Sequence, residues 1–178
     1  MANPNTAERA IGELERVPEA VEKLGLVPLT EIIPVPDLLF GGVMLVLIGI
    51  IHASGTNLIS THFGRRAKAL ATHPVRWQIE LLLGYAIFLL LGLHLVEIVV
   101  WSVGMHYSGL VPDWRLAGLF AANNYTALGS GTVLPEGWGM LAPIIAISGL
   151  FTFGWTGSVL VNMVGRYNEL RDLSATAR

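Results

Sequence analysis

Apolar residues dominate three long stretches of this chain, Leu38–Ile59, Ile79–Val103 and roughly Met140–Val164, with few polar side chains inside them. About 20 helical residues at ~1.5 Å each cross the ~30 Å hydrocarbon core of a bilayer, so each stretch predicts a transmembrane helix. A fourth apolar patch, Trp114–Leu128, is too short to span. It also carries Asn123, Asn124 and Tyr125, which are costly against lipid. Pro112 and Asp113 make a good helix start before it. Ahead of the first span, residues 7–24 alternate charged and apolar positions at helical spacing, broken by Pro18. They predict a short amphipathic helix on an extramembrane arm. Pro28, Pro34 and Pro36 then make an extended lead-in, with Asp37 placed to cap the first span.

Composition agrees with this pattern. The chain has 178 residues, of which 53% are hydrophobic and only 13% charged, about half the charged share of a soluble domain. There is no cysteine, which excludes disulfides, thiolate metal sites and thiol catalysis. The first 36 residues are acidic, with three basic and six acidic side chains, and do not read as a secretory signal.

The placement of charge then decides topology. Arg65, Arg66, Lys68 and Arg76 lie between the first two spans with no acid among them, which puts that loop in the cytoplasm and the acidic arm outside. Trp77 and Trp101, at opposite ends of the second span, fit as interfacial anchors. Arg166, Arg171 and Arg178 mark a second cytoplasmic segment after the third span. Two spans separate these basic regions, so Trp114–Leu128 must enter and leave on one side, as a re-entrant segment. The predicted organisation is an arm over 1–36, a first transmembrane helix over 37–60 and a basic loop over 61–78. A module of helix, re-entrant helix, loop and helix follows over 79–164, with a tail over 165–178.

The re-entrant helix would point inward and end near Tyr125, its C-terminal carbonyls favouring a cation. Next comes Thr126-Ala127-Leu128-Gly129-Ser130-Gly131. Lining a pore with carbonyls requires alternate residues in the left-handed conformation, and glycine adopts it without a Cβ penalty. Gly129 and Gly131 recur at that spacing, and rings of such oxygens can replace the hydration shell of K+.

This segment resembles the selectivity filter of tetrameric potassium channels, T-x-V-G-Y-G, with Thr126, Gly129 and Gly131 in register and Leu128 in place of valine. The order of elements over Ile79–Val164 is similar to the two-helix pore module of that superfamily, in particular its small bacterial ion-channel proteins. The resemblance implies an all-α membrane protein with three transmembrane helices per chain plus a pore helix and filter loop. It implies a homotetramer, because each chain brings one filter, and a multi-pass protein of the bacterial inner membrane. The ligands would be K+ or other monovalent cations, with no cofactor, no catalytic residue and no nucleic-acid partner. Ser130 stands where the family carries an aromatic ring and Thr132 where it carries Asp. Potassium permeation therefore follows more readily than strict selectivity, with a nonselective monovalent cation channel as the alternative.

On this resemblance the third span is the pore-lining helix. Ser148, Thr152, Val159 and Met163 are spaced to share one face, and Gly149, Gly154 and Gly157 are candidate bending points for a gate; close helix packing is the competing use of these glycines. His94 and Glu97, three apart, share a face of the second span. Buried ionisable groups at such depth need partners. They are expected either to satisfy each other or to hydrogen-bond the pore helix at Asn123, Asn124 or Tyr125. His52 reads as a packed polar residue. A pair of haem ligands formed by His52 and His94 is disfavoured by depth, since counting along the spans separates them by roughly 12 Å at ~1.5 Å per residue. Ser130 as an intramembrane nucleophile lacks a neighbouring base in the sequence.

Overall fold

The computed structural model describes residues 35–132 and 134–176, and the arm helix expected over 7–24 lies outside them. Among the described residues there are four helices and no strand. These are α1 (Val35–Thr72), α2 (Arg76–Tyr107), α3 (Trp114–Tyr125) and α4 (Leu141–Thr176). Three of them, α1, α2 and α4, are long and apolar enough to cross a membrane.

Two of these helices outrun their apolar stretches. The first continues from Ile59 to Thr72, so Arg65, Arg66 and Lys68 ride on helix rather than in a loop. Hydropathy marks where a chain leaves lipid, whereas a helix stops where its backbone cannot continue. That point is Pro74, which lacks an N–H and disfavours helical geometry at His73. Likewise α4 runs through the expected tail to Thr176.

The buried positions of α1, which include Gly41, Met44, Ile48, His52, Thr56, Ile59 and Phe63, follow the three-four spacing of one helical face. Packing divides into two apolar clusters. One gathers Met44 and Ile48 of α1, Trp101 and Met105 of α2, Phe120 and Ala121 of α3, and Leu141 and Ile145 of α4. The other gathers Ile59 and Phe63, Ala86 and Leu90, and Met163 and Leu170. Between them, on all three long helices, lies a buried polar layer: His52 and Thr56, His94 and Glu97, Ser148 and Thr152.

Helix α3 folds back between α2 and α4. Gly109, at φ 77°, helps turn the chain after α2, and Asp113 caps α3 by accepting from Leu116 N–H at 2.7 Å. At its far end, Tyr125 touches Glu97, ten residues before the end of α2, and Thr152, well inside α4. The chain then returns to begin α4 at Leu141, in the same apolar cluster as Met105 and Leu110.

Asp37 does not cap α1. It sits inside the first turn of that helix, fully buried, and its Oδ2 accepts from Met140 N–H at 2.6 Å, at the start of α4. A carboxylate there meets both an orphan donor and the positive end of the helix dipole. Asp37→Ala is expected to cost about 1–2 kcal/mol, and Asp37→Asn, which keeps the acceptor, clearly less. Thermal unfolding of the two variants in one detergent checks this.

Candidate functional site

The polar layer is a closed hydrogen-bond network with Glu97 and Tyr125 at its hub. His52 Nδ1 lies 2.7 Å from Glu97 Oε1. The Tyr125 hydroxyl donates to Glu97 Oε2 in a short contact. It also meets His94 Nδ1 at 2.8 Å and Thr152 Oγ1 at 2.6 Å. His94 Nε2 is 3.0 Å from Thr156 Oγ1, and His52 Nε2 is 3.5 Å from the same oxygen. Every helix contributes. His52, Glu97, Tyr125 and Thr152 are shielded almost completely from solvent, as their unpaired burial would be costly.

One proton order satisfies the core of this network with Glu97 ionised. Its two oxygens accept from His52 Nδ1–H and Tyr125 O–H, the charge-assisted bonds that rank strongest. The phenol oxygen then accepts from His94 Nδ1–H and Thr152 O–H, and His94 Nε2 accepts from the Thr156 hydroxyl. Both imidazoles are neutral in this order and carry their proton on Nδ1.

The two histidines are neighbours, with ring centroids 5.6 Å apart, which overturns the separation of roughly 12 Å in depth that the span count gives. That count sets the apolar runs flush with one another, but α1 runs well past its apolar stretch and is shifted along its axis. A haem still does not fit. Three of the four ring nitrogens are engaged, at Glu97, Tyr125 and Thr156, and only His52 Nε2, 3.5 Å from the same Thr156 hydroxyl, keeps a lone pair, so the two rings cannot hold one iron between them. Ligand atoms of His52, His94 and Glu97 do fall within 4.8 Å of one another. However, His52 Nδ1 and Glu97 Oε1 stand at a hydrogen-bond length of 2.7 Å, while His94 Nδ1 and Glu97 Oε2 are 3.6 Å apart. Atoms sharing one tetrahedral ion at about 2.0–2.1 Å stand roughly 3.4 Å apart.

Of Asn123, Asn124 and Tyr125 at the end of α3, Tyr125 is the one that meets His94 and Glu97. Asn124 instead turns its Nδ2 to Phe120 O at 2.8 Å. Asn123 offers its carbonyl to the N–H groups of Leu128 and Gly129 at 2.8 and 3.2 Å. His94 and Glu97 are themselves 3.6 Å apart at nearest, too long for a hydrogen bond. Thr156 and the role of His52 are additions to the residues singled out by the sequence. The one signal pointing to His52 was the expense of an ionisable side chain in an apolar span.

Helix α3 ends in a Schellman turn. Leu128 N–H reaches Asn123 O, and Ala127 N–H reaches Asn124 O at 2.9 Å. Ala127 takes the left-handed conformation there, at φ 59°, and Gly129 follows at φ 77°. Of the two glycines expected to be left-handed, Gly129 is and Gly131 is not, while Ala127 is left-handed as the cap of α3. An alanine in this conformation is unfavourable by about 1–2 kcal/mol. Thr126, Ala127, Leu128, Gly129 and Gly131 are exposed and Ser130 half-buried. Among the described residues, no carbonyl from Thr126 to Gly131 accepts a hydrogen bond. Ser130 Oγ accepts from Thr132 N–H at 3.2 Å.

The expected pore-lining stripe needs correction. Ser148, Gly149, Thr152 and Met163 are buried inside the chain, so they pack α4 against its own neighbours rather than facing a cavity between chains. Ser148 accepts from Trp101 Nε1–H at 3.0 Å, and that tryptophan is fully buried rather than an interfacial anchor. Gly149 is needed for close approach, because a Cβ there would collide with the Tyr125 carbonyl. Val159 is half-buried and Gly154 exposed. The open face of α4 runs through Ile147, Phe151, Gly154, Ser158 and Asn162. Shared spacing identified residues on one face but could not say which way that face turns.

Comparisons with protein-family models, with curated proteins and with solved structures find no match to this chain.

Proposed function

We propose that this chain is one subunit of a homotetrameric, potassium-permeable cation channel in a bacterial inner membrane, with the N-terminus outside. One observation carries the reading. A helix folded back between two apolar helices ends in an exposed segment whose carbonyls, Thr126 to Gly131, have no hydrogen-bond partner among the described residues. Backbone carbonyls held away from water need a partner. Four copies about a common axis would supply rings of oxygens for a dehydrated cation. Left-handed residues two apart, at Ala127 and Gly129, suit a backbone that aims its carbonyls to one side. The open face of α4, with Gly154, Ser158 and Asn162, is the surface available to neighbouring subunits or to an aqueous cavity.

The second reading is a nonselective monovalent cation channel, and Ser130 favours it. Its hydroxyl is taken up locally by Thr132 N–H, and it has no ring to pack behind the loop and fix its width. The protein reconstituted in a planar bilayer under opposed K+ and Na+ gradients separates these outcomes. A reversal potential near the K+ equilibrium value supports potassium permeation, whereas one near zero supports the second reading. A bilayer that gains no cation conductance refutes both.

A further inference from the structure

We propose that His52, on the helix outside the two-helix pore module, is a positioning residue for the filter segment. It acts on Thr126–Gly131 through Glu97 and Tyr125. The inference rests on the channel reading and adds a component to it that the module itself does not contain.

The chain of contacts is short. Glu97 has two carboxylate oxygens and two principal donors: His52 Nδ1 holds Oε1, and the Tyr125 hydroxyl is bound to Oε2. A carboxylate held at one oxygen cannot rotate away from the other donor, so His52 fixes the acceptor that Tyr125 uses. Tyr125 is the residue immediately before Thr126, and its ring is fully buried. Its hydroxyl is gripped from α2 and α4, and its carbonyl abuts Gly149. The first filter residue is therefore placed by a phenol whose position depends on α1.

A purely structural role for His52 would be an expensive choice. Its side chain is fully buried within an apolar helix, where leucine would pack without any polar partner. Thr56, one turn on, satisfies itself on the His52 carbonyl at 2.7 Å and contributes nothing across helices. Only His52 carries a polar link from α1 to the hub. The loop also lacks an aromatic side chain at Ser130 to brace it from behind, which gives weight to support arriving at the Thr126 end.

Asparagine and glutamine separate the two ring nitrogens, since the asparagine amide overlays Nδ1 and the glutamine amide overlays Nε2. The experiment compares the parent, His52→Leu, His52→Asn and His52→Gln as reconstituted full chains. Relative permeabilities of K+, Na+ and Li+ are read from reversal potentials. His52→Leu and His52→Gln are expected to shift the best-separated pair by roughly tenfold, the order of one lost hydrogen bond to a charged group. His52→Asn should stay within about threefold of the parent. The asparagine–glutamine contrast decides the matter if the leucine variant does not assemble. A parent that conducts while His52→Gln and His52→Asn share its permeability ratios overturns the inference and leaves the channel reading standing. Equal shifts in the two amide variants, or a parent that separates none of the three ions, also overturn it. A parent without cation conductance refutes the channel reading itself and the inference with it.

Discussion

Alanine at Gly149 is expected to be among the most damaging single-methyl changes in this chain. The added Cβ would occupy the position of the Tyr125 carbonyl, and the obstructing atoms are backbone. A flexible side chain could swing away, but a helix terminus held by a Schellman turn and by the Tyr125 hydroxyl cannot. Relief requires α3 to separate from α4, stripping contacts around Phe120 and Ile145. Overpacking usually costs 1–3 kcal/mol and more where the backbone must move, so a loss of about 3 kcal/mol or more is expected. For a chain of this length that lowers the unfolding midpoint by roughly 10 °C. Gly154→Ala and Gly157→Ala are the controls, since a Cβ at either meets nothing within 4 Å in the chain. Intrinsic tryptophan fluorescence during heating in detergent measures all three. A Gly149→Ala protein as stable as the parent would show that α3 does not lie against α4 as described.

Removing Glu97 is the second large effect. Glu97→Ala leaves His52 Nδ1–H and the Tyr125 hydroxyl without their acceptor in a layer closed by apolar clusters on both sides. Each buried donor left unsatisfied costs about 1–3 kcal/mol, so the two together cost about 2–6 kcal/mol. Glu97→Gln keeps the shape and one oxygen, so one donor remains satisfied while the other faces an amide N–H. A loss of about half the alanine value follows from the single lost hydrogen bond and the donor opposed to it. The order of midpoints, parent above glutamine above alanine, is the checkable result. A glutamine variant as unstable as alanine would mean that the charge, rather than the hydrogen bonding, holds the layer.

Much of the architecture was written in hydropathy. Three apolar runs sufficed to place α1, α2 and α4, and Pro112–Asp113 with a short apolar patch placed α3. What hydropathy could not supply was extent and register. Arg65, Arg66 and Lys68 read as loop because they are polar, yet the backbone runs helical through them until Pro74. The axial shift of α1 is invisible to residue counting, because it is decided by which side chains lock across helices. For that reason residue counting sets His52 at the wrong depth. Facing was similarly hidden: Ser148 and Thr152 do share a stripe with Met163, but the stripe turns inward, where Trp101 and Tyr125 supply its partners. The Glu97–Tyr125 contact was within reach of the sequence, since a lone carboxylate in an apolar helix must find a donor at its own level. Left-handed backbone at Ala127 was not, because a Schellman turn accepts alanine only when the helix end is pinned from elsewhere.

The polar layer also restricts how the chain can move. A one-turn slide of α1 along α2 would carry His52 about 5.4 Å away from Glu97 and strand both groups between the two apolar clusters. Piston-like motion of that helix is therefore closed to the folded chain, and the layer serves as a fixed pivot. Gly154, Ser158 and Asn162, on the open face of α4, take no part in this layer.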